Sequence, residues 1–245
     1  MSDPTTPESP SAGAPKGLAS RAIGVLLSPR ATYQEVAARP RWAGALGLVL
    51  LVAVAATLVF FSTDVGRQAL LDQQIRSMES FGKPVTDAQY AQLQRMAPYS
   101  GYFGAAGQFV FLPLIALIVS GLAFAVFNAA LGCDAAFKQV FAVVVHSGFV
   151  VALQQLFVLP LDYARQSLSS PTNLSVFLPM LDENSFPARM LGSIDLFVIW
   201  WAVSLAIGLG VLYRRRTGPI ASTLLIVYAV VAVVIAAVKT ALSGA

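Results

Sequence analysis

Over most of this chain apolar positions run together instead of alternating with polar ones. Five stretches carry no charged residue: Trp42–Thr63, Met96–Cys133, Gln139–Leu161, Leu196–Tyr213 and Thr217–Val238. A hydrocarbon core of about 30 Å takes about 20 helical residues, so each stretch is long enough for one crossing. Such runs lack the period-two pattern of a transmembrane barrel, and lipid tolerates no unpaired backbone, so the spans are helices. The second run exceeds one span and is short for two. Its helix is therefore expected to start near Phe103, with Pro98–Gly104 as a turn leading in and Pro113 kinking it.

The remaining segments are mixed. Residues 1–15 hold four prolines with Ser, Thr and Gly and no apolar periodicity, which predicts a disordered cytoplasmic tail. In residues 16–40, Leu18, Ile23, Leu26, Leu27, Tyr33 and Val36 are interleaved with Arg21, Arg30, Glu35 and Arg39. Ser28 before Pro29 marks an N-cap and first helical position for a helix over 29–38. The apolar stretches are too short to span, which predicts an interfacial amphipathic segment with its arginines toward anionic headgroups. Between the first two spans, IRSMESF and VTDAQYAQLQRM read as two short amphipathic helices broken at Gly82 and Pro84, with Thr86 as an N-cap. Residues 162–195 are interrupted by Pro171, Asn173, Ser175 and Pro179 and read as a loop or shallow re-entrant piece, not a sixth span. The predicted fold is an all-α integral membrane protein, a bundle of five transmembrane helices with an N-terminal interfacial helix. The spans fall at about 42–63, 103–131, 138–160, 195–213 and 218–239 of a membrane domain over 41–240, with connections 64–102 and 161–194 outside the cell.

Composition sharpens this picture. The chain has 245 residues, 57% of them hydrophobic and 11% charged, whereas soluble domains carry about 25% charged residues. Its net charge of +4 is scattered between apolar runs and forms no clustered face for nucleic acid. Cys133 and His146, the single residues of their kinds, permit no internal disulfide and supply too few ligands for a Cys/His zinc site. With a cytoplasmic N-terminus the inner segments hold nine basic and four acidic residues, and the outer ones seven and eight. The tight Arg214–Arg216 turn between the fourth and fifth spans resists translocation and sets that face as cytoplasmic, with the C-terminus outside. The Ala- and Arg-rich composition favours a bacterial inner membrane.

LLSPRATYQEVAARPRW before the first span, TDAQYAQLQRMAP before the second, LGCDAAFKQVFAVVVHS entering the third and DLFVIWWAVSLAIGLG in the fourth together resemble the bacterial branch of the Yip-domain family of polytopic membrane proteins. The resemblance implies a multi-span membrane fold. Eukaryotic members associate with Rab-type GTPases and carry an Asp-Leu-Tyr-Gly-Pro-like signature that this sequence lacks, so Rab-type binding and its residues are not carried over.

Candidate chemistry is sparse. At 100° per residue Gln139, His146 and Gln154 share one face of the third span, with Ser147 at its edge. Such a stripe either lines a proton-linked or solute path or holds the bundle together by interhelical hydrogen bonds, the commoner use. Asp134 and Asp195 stand where carboxylates cap helix N-termini. Arg214, Arg215 and Arg216 are a candidate contact for anionic lipid. Gly44, Gly47, Gly101, Gly104, Gly107, Gly208 and Gly210 permit close packing or turns. Trp42, Trp200, Trp201, Tyr99, Tyr102 and Tyr213 lie near span ends, where interfacial anchors collect. No nucleophile, phosphate-binding or metalloenzyme motif occurs, and no cofactor is implied. The expected function is a non-enzymatic scaffold or partner-binding role toward lipids and other membrane proteins; the alternative is a small transporter or channel component using the stripe. A membrane-impermeant maleimide is expected to label Cys133 in inverted vesicles and not in intact spheroplasts; labelling from the outer face would reverse the orientation.

Overall fold

The computed structural model describes residues 17–80, 83–182 and 185–242, and the tail expected to be disordered, 1–15, lies outside them. Within the described residues the fold is helical. Two short helices, α1 (Leu18–Leu27) and α2 (Pro29–Ala38), form a hairpin. Pro29 occupies the first turn of α2, where its missing N–H costs nothing, so this helix has the predicted bounds. Ser28 makes no side-chain cap; its carbonyl instead accepts the Thr32 hydroxyl at 3.1 Å. The hairpin closes tightly because Gly24 has no side chain: a Cβ there would collide with Thr32 Oγ1.

The first long apolar helix, α3 (Ala43–Ser62), is followed after a single residue by α4 (Asp64–Ser80). α4 therefore begins some three turns before IRSMESF, because Thr63 and Asp64 restart the helix at once: Thr63 Oγ1 accepts Gly66 N–H at 3.0 Å. α5 (Asp87–Met96) opens with the predicted Thr86 cap, completed as a reciprocal box with Gln89. A 3₁₀ turn, Ala97–Tyr99, leads straight into α6 (Ser100–Phe124). The helix thus starts at Ser100 and not near Phe103, since Gly101 and Gly104 sit against α3, where a Cβ would meet Phe61 and Thr57. Pro113 lies inside α6 as expected. A π-helical segment, Ala125–Ala130, ends it.

α7 (Phe137–Arg165) is longer than the predicted span at both ends. A 3₁₀ turn over Leu174–Phe177 and the short α8 (Phe186–Gly192) occupy the next connection. α9 (Leu196–Leu212) and α10 (Thr217–Leu242) complete the chain. Among the described residues four helical stretches are long and apolar enough to cross a membrane: Ala43–Ser62, Asp87–Ala130, Phe137–Arg165 and Thr217–Ala241; α9, at 17 residues, is shorter.

Burial is uneven in a way that identifies the centre. α7 packs against α3, α6 and α9, and every residue from Val140 to Ser147 is buried. α6 and α10 remain open: Phe103, Phe109, Phe111, Ile115, Ile226 and Val234 are exposed, as lipid-facing side chains are. The core joins Tyr33 and Val36 of α2 to Val49 of α3, Val140, Phe141 and Val143 of α7, and Leu205 and Leu209 of α9.

The N-terminal hairpin is part of this core. Tyr33 and Val36 are fully buried, and the phenol ring lies over Gly208 of α9, where a Cβ would stand 2.5 Å from Val143 Cγ1 and 3.0 Å from the ring. Gly208→Ala is accordingly expected to destabilise the protein by about 1–3 kcal/mol through overpacking, measured as thermal unfolding in detergent. Gly47→Ala, in open space, is expected to be neutral or stabilising.

Candidate functional site

Polar side chains collect where the α1–α2 hairpin meets α7 and α9. Arg21, expected to face headgroups, turns inward instead: it is 4% exposed and its Nη2 donates to Glu35 Oε1 at 3.1 Å. The reason is packing. Gly24 and Val25 put the same face of α1 against the core, and a buried guanidinium there requires a carboxylate. Tyr33 Oη and Ser204 Oγ share a 2.8 Å hydrogen bond. Burial pushes the Tyr33 phenol above its ordinary pKa, opposed by its bond to Ser204, so it stays neutral.

The three members of the predicted stripe go to three different places. Gln139 lies at the start of α7, where its Oε1 accepts Ala136 N–H at 2.9 Å and its Nε2 donates to Ala37 O at 2.9 Å. It both caps the helix and ties down the end of α2. This displaces Asp134 from the capping role predicted for it, because the helix begins at Phe137 and its N-cap is Ala136. His146 is fully buried, with Ser147 beside it bonded back to Val144 O. Its Nδ1 lies 2.7 Å from Ala142 O; a carbonyl only accepts, so Nδ1 carries the proton. Nε2 is buried without a partner, as is Arg21 Nε.

Gln154 belongs to a knot at the other end of the bundle. Asp195, 8% exposed, caps α9 as predicted, its Oδ1 accepting Phe197 N–H at 2.8 Å. The same oxygen accepts Gln154 Nε2 at 3.2 Å, while Oδ2 takes the hydroxyls of Ser170 and Thr172, each at 2.6 Å. The backbone N–H of Asp195 donates to Tyr228 Oη at 2.8 Å, and that hydroxyl donates to Ser193 O at 3.0 Å. Thr172, Asn173 and Asp195 thus bring the long connection back to the start of α9, including an antiparallel bridge between Asn173 and Asp195.

Arg214, Arg215 and Arg216 are exposed on the turn from α9 to α10, and Arg30 and Gln34 of α2 join them around one cleft. Tyr213, predicted as an interfacial anchor, is instead buried: it stacks on Phe127 at 4.4 Å between centroids and donates to Asn128 Oδ1 at 2.8 Å. Among the described residues no group of three His, Cys, Asp or Glu could hold a metal. Sequence reasoning missed Tyr33, Ser204 and Asn128 as interacting residues, and it directed Arg21 and Arg30 to headgroups without their partners in the fold. The opposite charges of Arg21 and Glu35 on consecutive short helices were the one available signal.

These features define an all-helical polytopic membrane protein whose polar groups serve mainly to fasten helices and loops to one another. The family model of the Yip1 domain matches residues 23–238, and the chain belongs to the Yip1 domain family. No curated protein and no solved structure matches it. The match begins within α1 and so includes most of the hairpin.

The Arg21–Glu35 pair generates a direct test. Glu35→Ala leaves a buried guanidinium without its carboxylate and is expected to cost about 3 kcal/mol, whereas Arg21→Leu with Glu35→Leu is expected to be close to neutral. Unfolding of both variants in the same detergent checks the difference.

Proposed function

We propose that this protein is a five-crossing, non-enzymatic scaffold of a bacterial inner membrane, with a cytoplasmic N-terminus and an external C-terminus, which gathers other membrane proteins against its outer helix faces. α9 supplies the fifth crossing. At 1.5 Å per residue its 17 residues reach about 25 Å, close to the hydrocarbon thickness. Its two ends also belong to opposite ends of the bundle: the Tyr213–Asn128 bond lies at one and the Asp195 knot at the other. The Arg214–Arg216 turn favours the cytoplasmic side for the first of these.

The observation that carries the scaffold reading is the contrast in burial. The most apolar window of α7 is 50% buried, and those of the α5–α6 stretch and α10 are 11% and 17% buried. Two long apolar faces are therefore free to meet lipid or another membrane protein. Family membership supports a non-catalytic role, since the Yip1 family is not known as enzymatic.

The alternative, a proton-linked or solute path through α7, rests on the orphaned, fully buried Nε2 of His146. Photo-crosslinkers at Phe109 and Val230, with a control at buried Val143, separate the two in native membranes and proteoliposomes. The scaffold reading expects discrete protein adducts from the outer positions only, and no flux. A pH-dependent flux abolished by His146→Ala with Gln154→Ala, in a protein that still folds, would establish the transporter reading instead.

A further inference from the structure

Two adjoining recesses lie between the start of α2 and the end of α9. One, of about 530 Å³, is lined by Arg30, Gln34, Gly210, Val211 and the three arginines Arg214–Arg216. It receives four guanidinium-bearing side chains and no carboxylate, and Glu35, nearby on α2, is turned to Arg21. The other, of about 470 Å³, is lined by Ser28, Pro29, Arg30, Ala31, Ile207 and Thr217 and is almost wholly apolar. Arg30 borders both. Ile207, Gly210 and Val211 lie on a single face of α9 and Arg214 follows just past its end, so the apolar recess adjoins the basic one along the helix.

The turn that presents the arginines is specialised. Arg214 adopts a left-handed backbone, φ 53°, a position that ordinarily goes to Gly or Asn after a helix. A side chain there is held against local preference, and such strain gathers at sites of function. The Arg215 N–H bonds to Gly210 O at 2.9 Å, and a Cβ at Gly210 would stand 3.1 Å from Arg215 O and from Thr217 Oγ1. Orientation by positive charge requires basic residues at this turn, but it requires neither the left-handed arginine nor the arginine that α2 brings to meet it.

We propose that the paired recesses form a binding site for one anionic phospholipid, its phosphate held by Arg30, Arg215 and Arg216 and an acyl chain laid along Pro29, Ala31 and Ile207. Planar guanidinium forks match phosphate oxygens in pairs, and charge complementarity selects an anionic headgroup. The apolar recess selects a lipid over a free phosphate. The site does not depend on the scaffold reading, because it concerns what the bilayer itself supplies.

The test uses the full chain in dodecyl maltoside, with retained lipid counted by native mass spectrometry. Dioleoyl phosphatidylglycerol is expected to bind in preference to dioleoyl phosphatidylcholine, and Arg30→Gln, Arg215→Gln and Arg216→Gln are each expected to lower that preference roughly fivefold. Ile207→Trp, which fills the apolar recess and leaves every arginine in place, is expected to weaken phosphatidylglycerol binding without changing the response to glycerol phosphate. Circular dichroism and thermal unfolding establish that each variant is folded, and the Ile207 arm stands if an arginine variant is not. Undiminished preference in folded arginine variants would overturn the proposal. So would displacement of phosphatidylglycerol by equimolar glycerol phosphate, or by an oligoglutamate peptide, which would point to a soluble phosphate or an acidic protein segment.

Discussion

In hydrocarbon a polar atom has no water to accept as a substitute partner, so a polar group placed between membrane helices has to find its match in the protein. The docking of the α1–α2 hairpin depends on meeting that demand. Tyr33 lies on Gly208, where no side chain intervenes, and meets the Ser204 hydroxyl. Arg21 meets Glu35, and Gln139 meets the backbone at Ala37. With these met, Val25 and Val36 reach the core formed by α7 and α9. A segment that is too short to span thereby becomes part of the central packing, and α7 becomes the helix around which the other elements are arranged.

The same rule fastens the two ends of the bundle. At one end the π-helical close of α6 sets Phe127 and Asn128 against Tyr213, with Asn128 also donating to Ala135 O at 2.9 Å. A π-turn widens the helix by one residue and so redirects the side chains around it; here it brings a carboxamide between two connections. At the other end Asp195 is the hub. One buried carboxylate satisfies a helix N-terminus, two hydroxyls and a glutamine from α7. A charge so enclosed is tolerated because each oxygen accepts more than one hydrogen bond.

Function follows from what this fastening leaves over. The polar atoms on α7 are mostly spent on structure, and α6 and α10 turn apolar faces outward, which suits a protein that acts by contact. The basic recess gathers four guanidinium groups with no carboxylate in its lining, and α2 brings Arg30 to Arg214–Arg216 because the hairpin is docked on α9. Hairpin packing and the proposed lipid site are thus coupled through α2.

Much was legible along the chain. Unbroken apolar runs fixed the helical, membrane-bound character, and local chemistry marked Pro29, Thr86 and Asp195 as helix starts, since each of these signals acts within one turn. Polarity on α7 was also visible, as a stripe, but periodicity reports a direction and not a partner. Its three members proved to serve a backbone at α2, a carbonyl of α7 itself and a distant loop. The inward turn of Arg21, the loss of capping at Asp134, the burial of Tyr213 and the meeting of Arg30 with Arg214–Arg216 all required the tertiary structure. Tyr33 and Ser204 are 171 residues apart, and no local pattern announces such a pair. Which face of a short amphipathic helix lies inward is decided by the surface offered to it, and here that surface was a gap at Gly208 made by helices that the chain forms much later.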